Sequence, residues 1–519
     1  MSCGDFPAPN LTEHPTPSCY PQEVRGIVLA AALLSASLSL SSQDLKEFEK
    51  KVTEFTLPNG LHFLVVERHE APVVSFHTYV NAGSANDPAG LTGLAHMFEH
   101  MAFKGTETIG TKNWTEEKKA LQSIEDAYDQ LEAERNMGPR ANPVKLQSLD
   151  GSLKLLIGRA EDYVDPNKYT TIIEENGGAG VNADTNLGYT EYFYSLPSNR
   201  IELWFLLESQ RFMHPVFREF YKERDVVMEE HRRNVDSSVQ GQLTQTFKAA
   251  AFEASPYRNP PGGWPSDIAS LRVSDARAFF EKYYVPANIN IAIVGDVKPA
   301  DAKRMAERYF GALPARALPP AIHTLEPPQP GPKNVTVESP SQPLALIGYK
   351  RPGQFDKDDP VFDAIAMILS SGRTSMLYKD LVQEKRLALG VQAIPTFPDG
   401  QYANLFVFFL APAQGHNIEE NQRELDALLG RFEAKPVDAE TLARVKTKAR
   451  ASVLSRLDSN AGLASLLTRY YGSYGDWRKL FTSIDDINRV TAEDVQRVAV
   501  KYFVTKNRTM AYTSAGARQ

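Results

Sequence analysis

Cysteine is almost missing from this chain of 519 residues: Cys3 and Cys19 are the two it has. Everything after residue 19 therefore lacks a thiol nucleophile, a cysteine-based metal site and a disulfide framework. Long apolar runs are scarce as well. "GIVLAAALLSASLSL", Gly26 to Leu40, falls short of the roughly 20 residues that a membrane-spanning helix needs, so no stable membrane span is expected. No block of basic residues occurs and the net charge is -7, which argues against a nucleic-acid partner. There is no GxSxG elbow. "GTETIGTK", Gly105 to Lys112, has the glycine spacing of a phosphate loop, but Thr-Lys replaces Lys-Thr/Ser and a helix precedes it instead of a strand.

What is present starts with that apolar run. Arg25 precedes it and small residues, "SLSLSSQ", follow it, which is the shape of a secretory signal. Residues 1–43 are read as a signal peptide with an upstream extension. The mature chain is expected to be secreted across an inner membrane, into a periplasm.

The length exceeds one compact core, so two domains are expected. The first runs over 44–312. It opens with strands around the Asn59-Gly60 hairpin turn, continues into a helix with Asp87 and Pro88 suited to its start, and carries an inserted helical hairpin at 113–165. Residues 313–343 are dense in proline and read as an extended linker. The second domain, 344–519, repeats the element order of the first but has no histidine in the matching helix. The expected fold class is α+β: two tandem, structurally similar α/β-sandwich domains, each a mixed, mostly antiparallel sheet with helices packed on it.

The chemistry concentrates in "GLAHMFEHMAFKGT", Gly93 to Thr106. On a helix, His96 and His100 share a face, so two imidazoles can hold one zinc ion. Glu99 lies beside them and can take a proton from water activated by the ion. This is HxxEH, the inverse of HExxH. A catalytic zinc needs a third protein ligand, and "FYKERDVVMEEHRRN" supplies Glu223, Glu229, Glu230 and His231. Glu223 and Glu230, seven apart, share a helix face, and Glu229 is rotated by about 100° from Glu230. The pattern alone does not rank these donors.

"GSANDPAGLTGLAHMFEHMAFKGT" resembles the active-site helix of the pitrilysin, insulin-degrading enzyme and mitochondrial processing peptidase family, and "ERDVVMEE" is similar to that family's ligand helix. The resemblance covers most of residues 50 to 515. It implies a zinc metalloendopeptidase with one Zn2+ per chain on His96, His100 and Glu230, Glu99 as the catalytic base, and Glu223 orienting a ligand histidine. "NGGAGVNADTNLGYTEYF" resembles the family's substrate-binding edge strand, which places Asn182, Ala183, Asp184 and Thr185 against the peptide substrate. The second half of family members often supplies an arginine and a tyrosine for the substrate backbone, whereas "ANLFVFFLAP" has no arginine. A chain of this size resembles one half of the family's clamshell. A partner is therefore expected, as a homodimer or as a heterodimer with a non-metal homologous subunit. The alternative is a catalytically silent or partner-dependent scaffold subunit of the same fold.

Overall fold

The computed structural model describes residues 47–514; the expected leader and extension, 1–43, lie outside them. Residues 47–49 form a helical turn, and the chain from Lys51 onward groups into one compact unit.

That unit holds two sheets. Strands β1 (Val52–Thr56) and β2 (His62–Glu67) flank the Asn59-Gly60 turn, and β3 (Val73–Val80) follows. Next come helix α1 (Leu94–Met101) and the inserted hairpin, α2 (Trp114–Arg135) and α3 (Pro143–Glu161). The insert helices start where Asn113 and Asn142 accept backbone N–H groups of the first turn, as N-cap residues do. Helix α4 (Lys168–Glu175) leads into β4 (Ala179–Thr185) and β5 (Thr190–Pro197). Helices α5 (Ile201–Met213), α6 (Phe220–His231), α7 (Val239–Ala251), α8 (Pro265–Ser270) and α9 (Val273–Tyr283) precede β6 (Ile289–Gly295) and α10 (Pro299–Phe310). The second half runs β7 (Lys333–Glu338), β8 (Ala345–Arg351), α11 (Asp359–Ser370), β9 (Ala388–Phe397) and β10 (Asn404–Pro412). Helices α12 (Ile418–Ala434), α13 (Ala439–Leu457), α14 (Asn460–Tyr474), α15 (Lys479–Arg489) and α16 (Ala492–Tyr502) lead to β11 (Arg508–Ser514).

The sheet orders are β1-β2-β6-β3-β5-β4 and β7-β11-β8-β10-β9. Without β1 they superpose term by term. Each begins with a parallel pair, β2 with β6 and β7 with β11. Each continues through three antiparallel pairs to a free edge, β4 or β9. The two halves are thus tandem copies of one mixed, mostly antiparallel α/β arrangement. The stretch expected as an extended linker is not all linker: β7 lies within 313–343 and is part of the second sheet. Its alternating letters, "KNVTVE", carry the period-2 exposure of an edge strand.

Each sheet buries one face under its own half and the other under a helix of the opposite half. On β3, Val74, Phe76 and Val80 enter the first core with Phe63, Trp204 and Phe310, while His77 and Tyr79 turn to α14, where Thr468 bonds His77 Nδ1 at 2.8 Å. On β8, Ala345, Ile347 and Tyr349 enter the second core, while Leu346 joins Leu405, Val407 and Ala511 beneath Leu243, Phe247 and Ala251 of α7. Two glycines permit this exchange. A Cβ on Gly472 of α14 would sit 2.2 Å from the Tyr79 ring, and one on Gly348 of β8 would sit 2.6 Å from the Phe247 ring. Further ties cross between the halves: His62 stacks on Tyr471 at 3.8 Å between centroids, and Tyr257 donates to Asp399 at 2.7 Å.

Candidate metal centre

Helix α1 begins at Leu94, seven residues later than Asp87. Asp87 nevertheless acts at its start: its carboxylate accepts the N–H groups of Gly93 at 2.8 Å and Ala95 at 2.9 Å. It caps the helix from outside the usual capping position, beside the positive end of the helix dipole. Thr92 adds a second anchor, donating to Asp267 of α8 at 2.7 Å and accepting from the N–H of Trp264 at 2.9 Å. Leu94, Ala95, Met97, Phe98 and Met101 are buried. That packing leaves the face with His96, Glu99 and His100 toward α6 and β4.

The rings of His96 and His100 stand 4.9 Å apart and nearly perpendicular. Their Nε2 atoms each lie 3.6 Å from the same oxygen of Glu230. His96, His100 and Glu230 are the residues among those described whose donor atoms gather within the spacing of a metal site, 4.8 Å. The gaps exceed a hydrogen bond and approach the roughly 3.4 Å that separates two ligands of a tetrahedral zinc bound at about 2.1 Å. Two imidazoles and a carboxylate are a known donor set of catalytic zinc, so the residues fit that ion. His96 Nδ1 is buried and has no partner among the described residues.

The other donors separate cleanly. Glu223 accepts from His100 Nδ1 at 3.2 Å, which directs His100 Nε2 toward Glu230. Lys104 bonds the second oxygen of Glu223 and reaches Glu219 at 3.0 Å. Glu229 is exposed and paired with Arg232. His231 is buried, 3.7 Å from Asp236, and is not among the gathered donors. Lys104 and Glu219 were missed by sequence reasoning, although Lys104 stands one helical turn beyond His100.

Electrostatics set the protonation preferences of these groups. Burial, with His100 alongside, brings His96 down to about 4, which keeps it neutral and able to donate a lone pair. Burial also opposes charge on His100, but the hydrogen bond to Glu223 and the carboxylates of Glu230, Glu223 and Glu99 outweigh it and raise its pKa. Burial raises Glu99, against a hydrogen bond from Thr185 and the nearby His100, with Asp184 and Glu230 adding to the rise. A carboxylate raised toward neutrality is a better proton carrier at working pH. Thr185 thus joins β4 to Glu99. Along β4, Asn182 and Asp184 are exposed, Ala183 is buried and Thr185 is half-buried. β4 pairs with β5 on one side and ends the sheet on the other.

Arg218 fastens α1, the insert and α6 together. It is buried and pairs through Nε and Nη2 with the buried Glu117 of α2, at 2.7 and 3.1 Å. It also donates to the carbonyls of Lys104, Thr106 and Ile109 in the loop after α1. Tyr221 of α6 donates to Glu125 of α2 at 2.9 Å.

Comparison with known proteins places this fold in a class. The insulinase model, "Peptidase family M16", matches residues 63–132, and the "Peptidase M16 inactive domain" model matches residues 270–449. The zinc protease PqqE of Helicobacter pylori is 25% identical over 91% of this chain and 95% of its own length. A crystal structure of a protease from Helicobacter pylori superposes with a TM-score of 0.74 at 24% identity, over 89% of this chain and 99% of that one. The periplasmic protease PqqL from Escherichia coli gives a TM-score of 0.67 at 17% identity, over 89% of this chain but 47% of that one. The fold is therefore shared with these structures, here as two tandem α/β sandwiches. The chain belongs to the insulinase family of peptidases, M16.

Proposed function

We propose that the chain is a zinc-dependent endopeptidase that hydrolyses peptides or small unfolded proteins in a closed chamber. The observation that carries this reading is the convergence of His96 Nε2, His100 Nε2 and Glu230 around one point, with Glu99 on the same face of α1. When bound there, zinc supplies Lewis acidity and makes water nucleophilic near neutral pH. Glu99 accepts the proton of the attacking water and delivers it to the departing amine. Glu223 holds His100 by its Nδ1 and so fixes which nitrogen faces the centre. Asn182, Ala183, Asp184 and Thr185 on β4 take the peptide as an added strand, bound by its main chain. Thr185 also touches Glu99, which sets the proton carrier beside the scissile bond.

A second chain, either identical or a homologous subunit without metal, closes the chamber. Two facts support this: the chain matches 47% of the length of PqqL, and β10 carries no arginine. The leader shape of residues 1–43 supports a periplasmic location. A scaffold role is the second reading, favoured by the match of the second half to an inactive-domain model. Elemental analysis and a quenched-peptide assay on the same sample, alone and with partner chains, decide between them. One zinc per chain with peptide cleavage is the expected result. A chain that takes up no zinc is a scaffold.

A further inference from the structure

The second half keeps a cavity where the first half has its metal centre. Gly105 ends the α1 region with φ of 84° and Gly372 ends α11 with φ of 81°. His96 precedes Gly105 by the same interval (96 to 105) as Asp363 precedes Gly372 (363 to 372). On that register Asp363 stands for His96, Ala366 for Glu99 and Met367 for His100. All three line a cavity of about 920 Å³, whose other walls come from β9, α13, α14, α15 and α16. These walls follow the duplicated order: β9 is the counterpart of β4, and α13, two helices after β10, is that of α6, two helices after β5.

No metal donor of the first site recurs in the cavity: a carboxylate, Asp363, stands where His96 does in the first half, and it is unpaired among the described residues. Asp363 has no hydrogen bond or ion pair among the described residues. The other acids on the wall are engaged: Asp358 and Asp494 with Arg497, Asp359 with Arg351, Asp486 with Lys479 and Arg489. Asp356 accepts the N–H of Asp358 at 2.8 Å. Lys357, also on the wall, is exposed to solvent. Around Asp363 the surface has apolar and aromatic faces: Ala366, Met367, Ile484 and the rings of Tyr470 and Tyr474, which stack at 5.8 Å, with Lys479 Nζ 5.8 Å from the Tyr474 centroid. An isolated carboxylate in such surroundings is costly unless a cation meets it. Burial, with Asp359 close by, pushes Asp363 up to about 7.

We infer that this cavity binds the side chain of a lysine or arginine within a peptide, its cation on Asp363 and its aliphatic stem along Met367 and the two tyrosine rings. A wall that sets one free carboxylate beside apolar and aromatic faces matches an alkyl stem ending in a cation, and aromatic faces add cation–π attraction. The inference does not require the chain to cleave anything.

Ligand-observed NMR on the full chain tests it with capped Ala-Lys-Ala, its norleucine analogue and putrescine. The lysine peptide is expected to bind, the norleucine analogue at least tenfold more weakly, and putrescine more weakly than the peptide. Asp363→Asn should weaken the lysine peptide at least tenfold. Met367→Lys, one helical turn from Asp363, places an internal cation in the cavity and should abolish binding in a folded chain. Equal binding of the lysine and norleucine peptides, or unchanged binding in Asp363→Asn or Met367→Lys, would overturn the inference. Tighter binding of putrescine than of the peptide would overturn the peptide as occupant.

Discussion

The two halves share a strand order and differ in what they do with one helix. In the first, α1 is short, capped from outside by Asp87, and turns histidines and a glutamate toward α6. In the second, α11 is longer and more apolar, and places Asp363, Ala366 and Met367 at the matching positions. Apart from β1, the strand order and pairing directions are the same. The difference shows that the scaffold carries no chemistry of its own: three side chains on one helix and one on the next decide it. The first half also carries supports that the second lacks, namely the insert α2–α3, the Arg218–Glu117 pair, and the Glu223–Lys104–Glu219 chain behind His100.

The largest effect that sharpens this contrast is expected at Glu99. Glu99→Gln should lower peptide turnover by about 10²–10⁴-fold, the range for a lost general acid–base group, with zinc content unchanged by elemental analysis. Loss of zinc in that variant would make Glu99 a structural ligand. Next comes the buried support. Arg218→Met leaves Glu117 as an uncompensated buried charge, and breaking such a pair costs about 3–5 kcal/mol. Denaturant unfolding should show that loss, and replacing both partners by apolar residues should restore most of it.

The exchange of helices between halves is tested by smaller changes. Gly472→Ala should cost about 1–3 kcal/mol through overpacking on Tyr79, despite alanine's higher helix propensity. A gain in stability would show that α14 can move off the sheet. His77, buried between β3 and α14, has its pKa lowered to about 3 by burial, with Arg469 nearby. A histidine held neutral in the fold but protonated near 6.5 when unfolded gives stability that is complete above pH 6.5. That stability falls as the pH drops from 6.5 toward 3. Unfolding free energy should therefore slope more steeply across that window in the natural chain than in His77→Gln. The smallest effect belongs to Glu229→Gln. Exposed and paired with Arg232, it should change stability by less than about 0.5 kcal/mol and leave zinc content and turnover unaltered. A large loss at Glu229 would reverse its assignment with Glu230.

Much of the candidate site was legible from helix geometry, while the choice of Glu230 among the downstream donors came from the family resemblance. The i, i+4 spacing of His96 and His100, the seven-residue spacing of Glu223 and Glu230, and the rotation that turns Glu229 away all follow from 3.6 residues per turn. The insert was legible from its charged amphipathic letters, and α10 from Pro299 at its first turn. Three features were not. β7 was hidden in a proline-dense stretch, where composition outweighed its short alternation. β9 has a weak strand pattern because it contains Pro395, which an edge strand tolerates and a central one does not. The start of α1 was read at Asp87 because its side chain does cap the helix, but across an intervening loop that only the folded chain closes. The covering of each sheet by the other half's helix has no local signature at all, since α7 and α14 are ordinary amphipathic helices until their partners are known.

That exchange of helices has a consequence for how the chain is made. Synthesis runs from the N-terminus, and the layer that seals β3 and β6 is complete only when Tyr474 has been added. Until then the face of the first sheet that carries His77 and Tyr79 lacks its cover, and the contacts that supply it join residues hundreds of positions apart. Such distant closure slows folding and exposes intermediates to aggregation. The N-terminal half, with His96, Glu99, His100 and Glu230 all in it, is therefore expected to be insoluble when produced alone and to need a holding chaperone during translation.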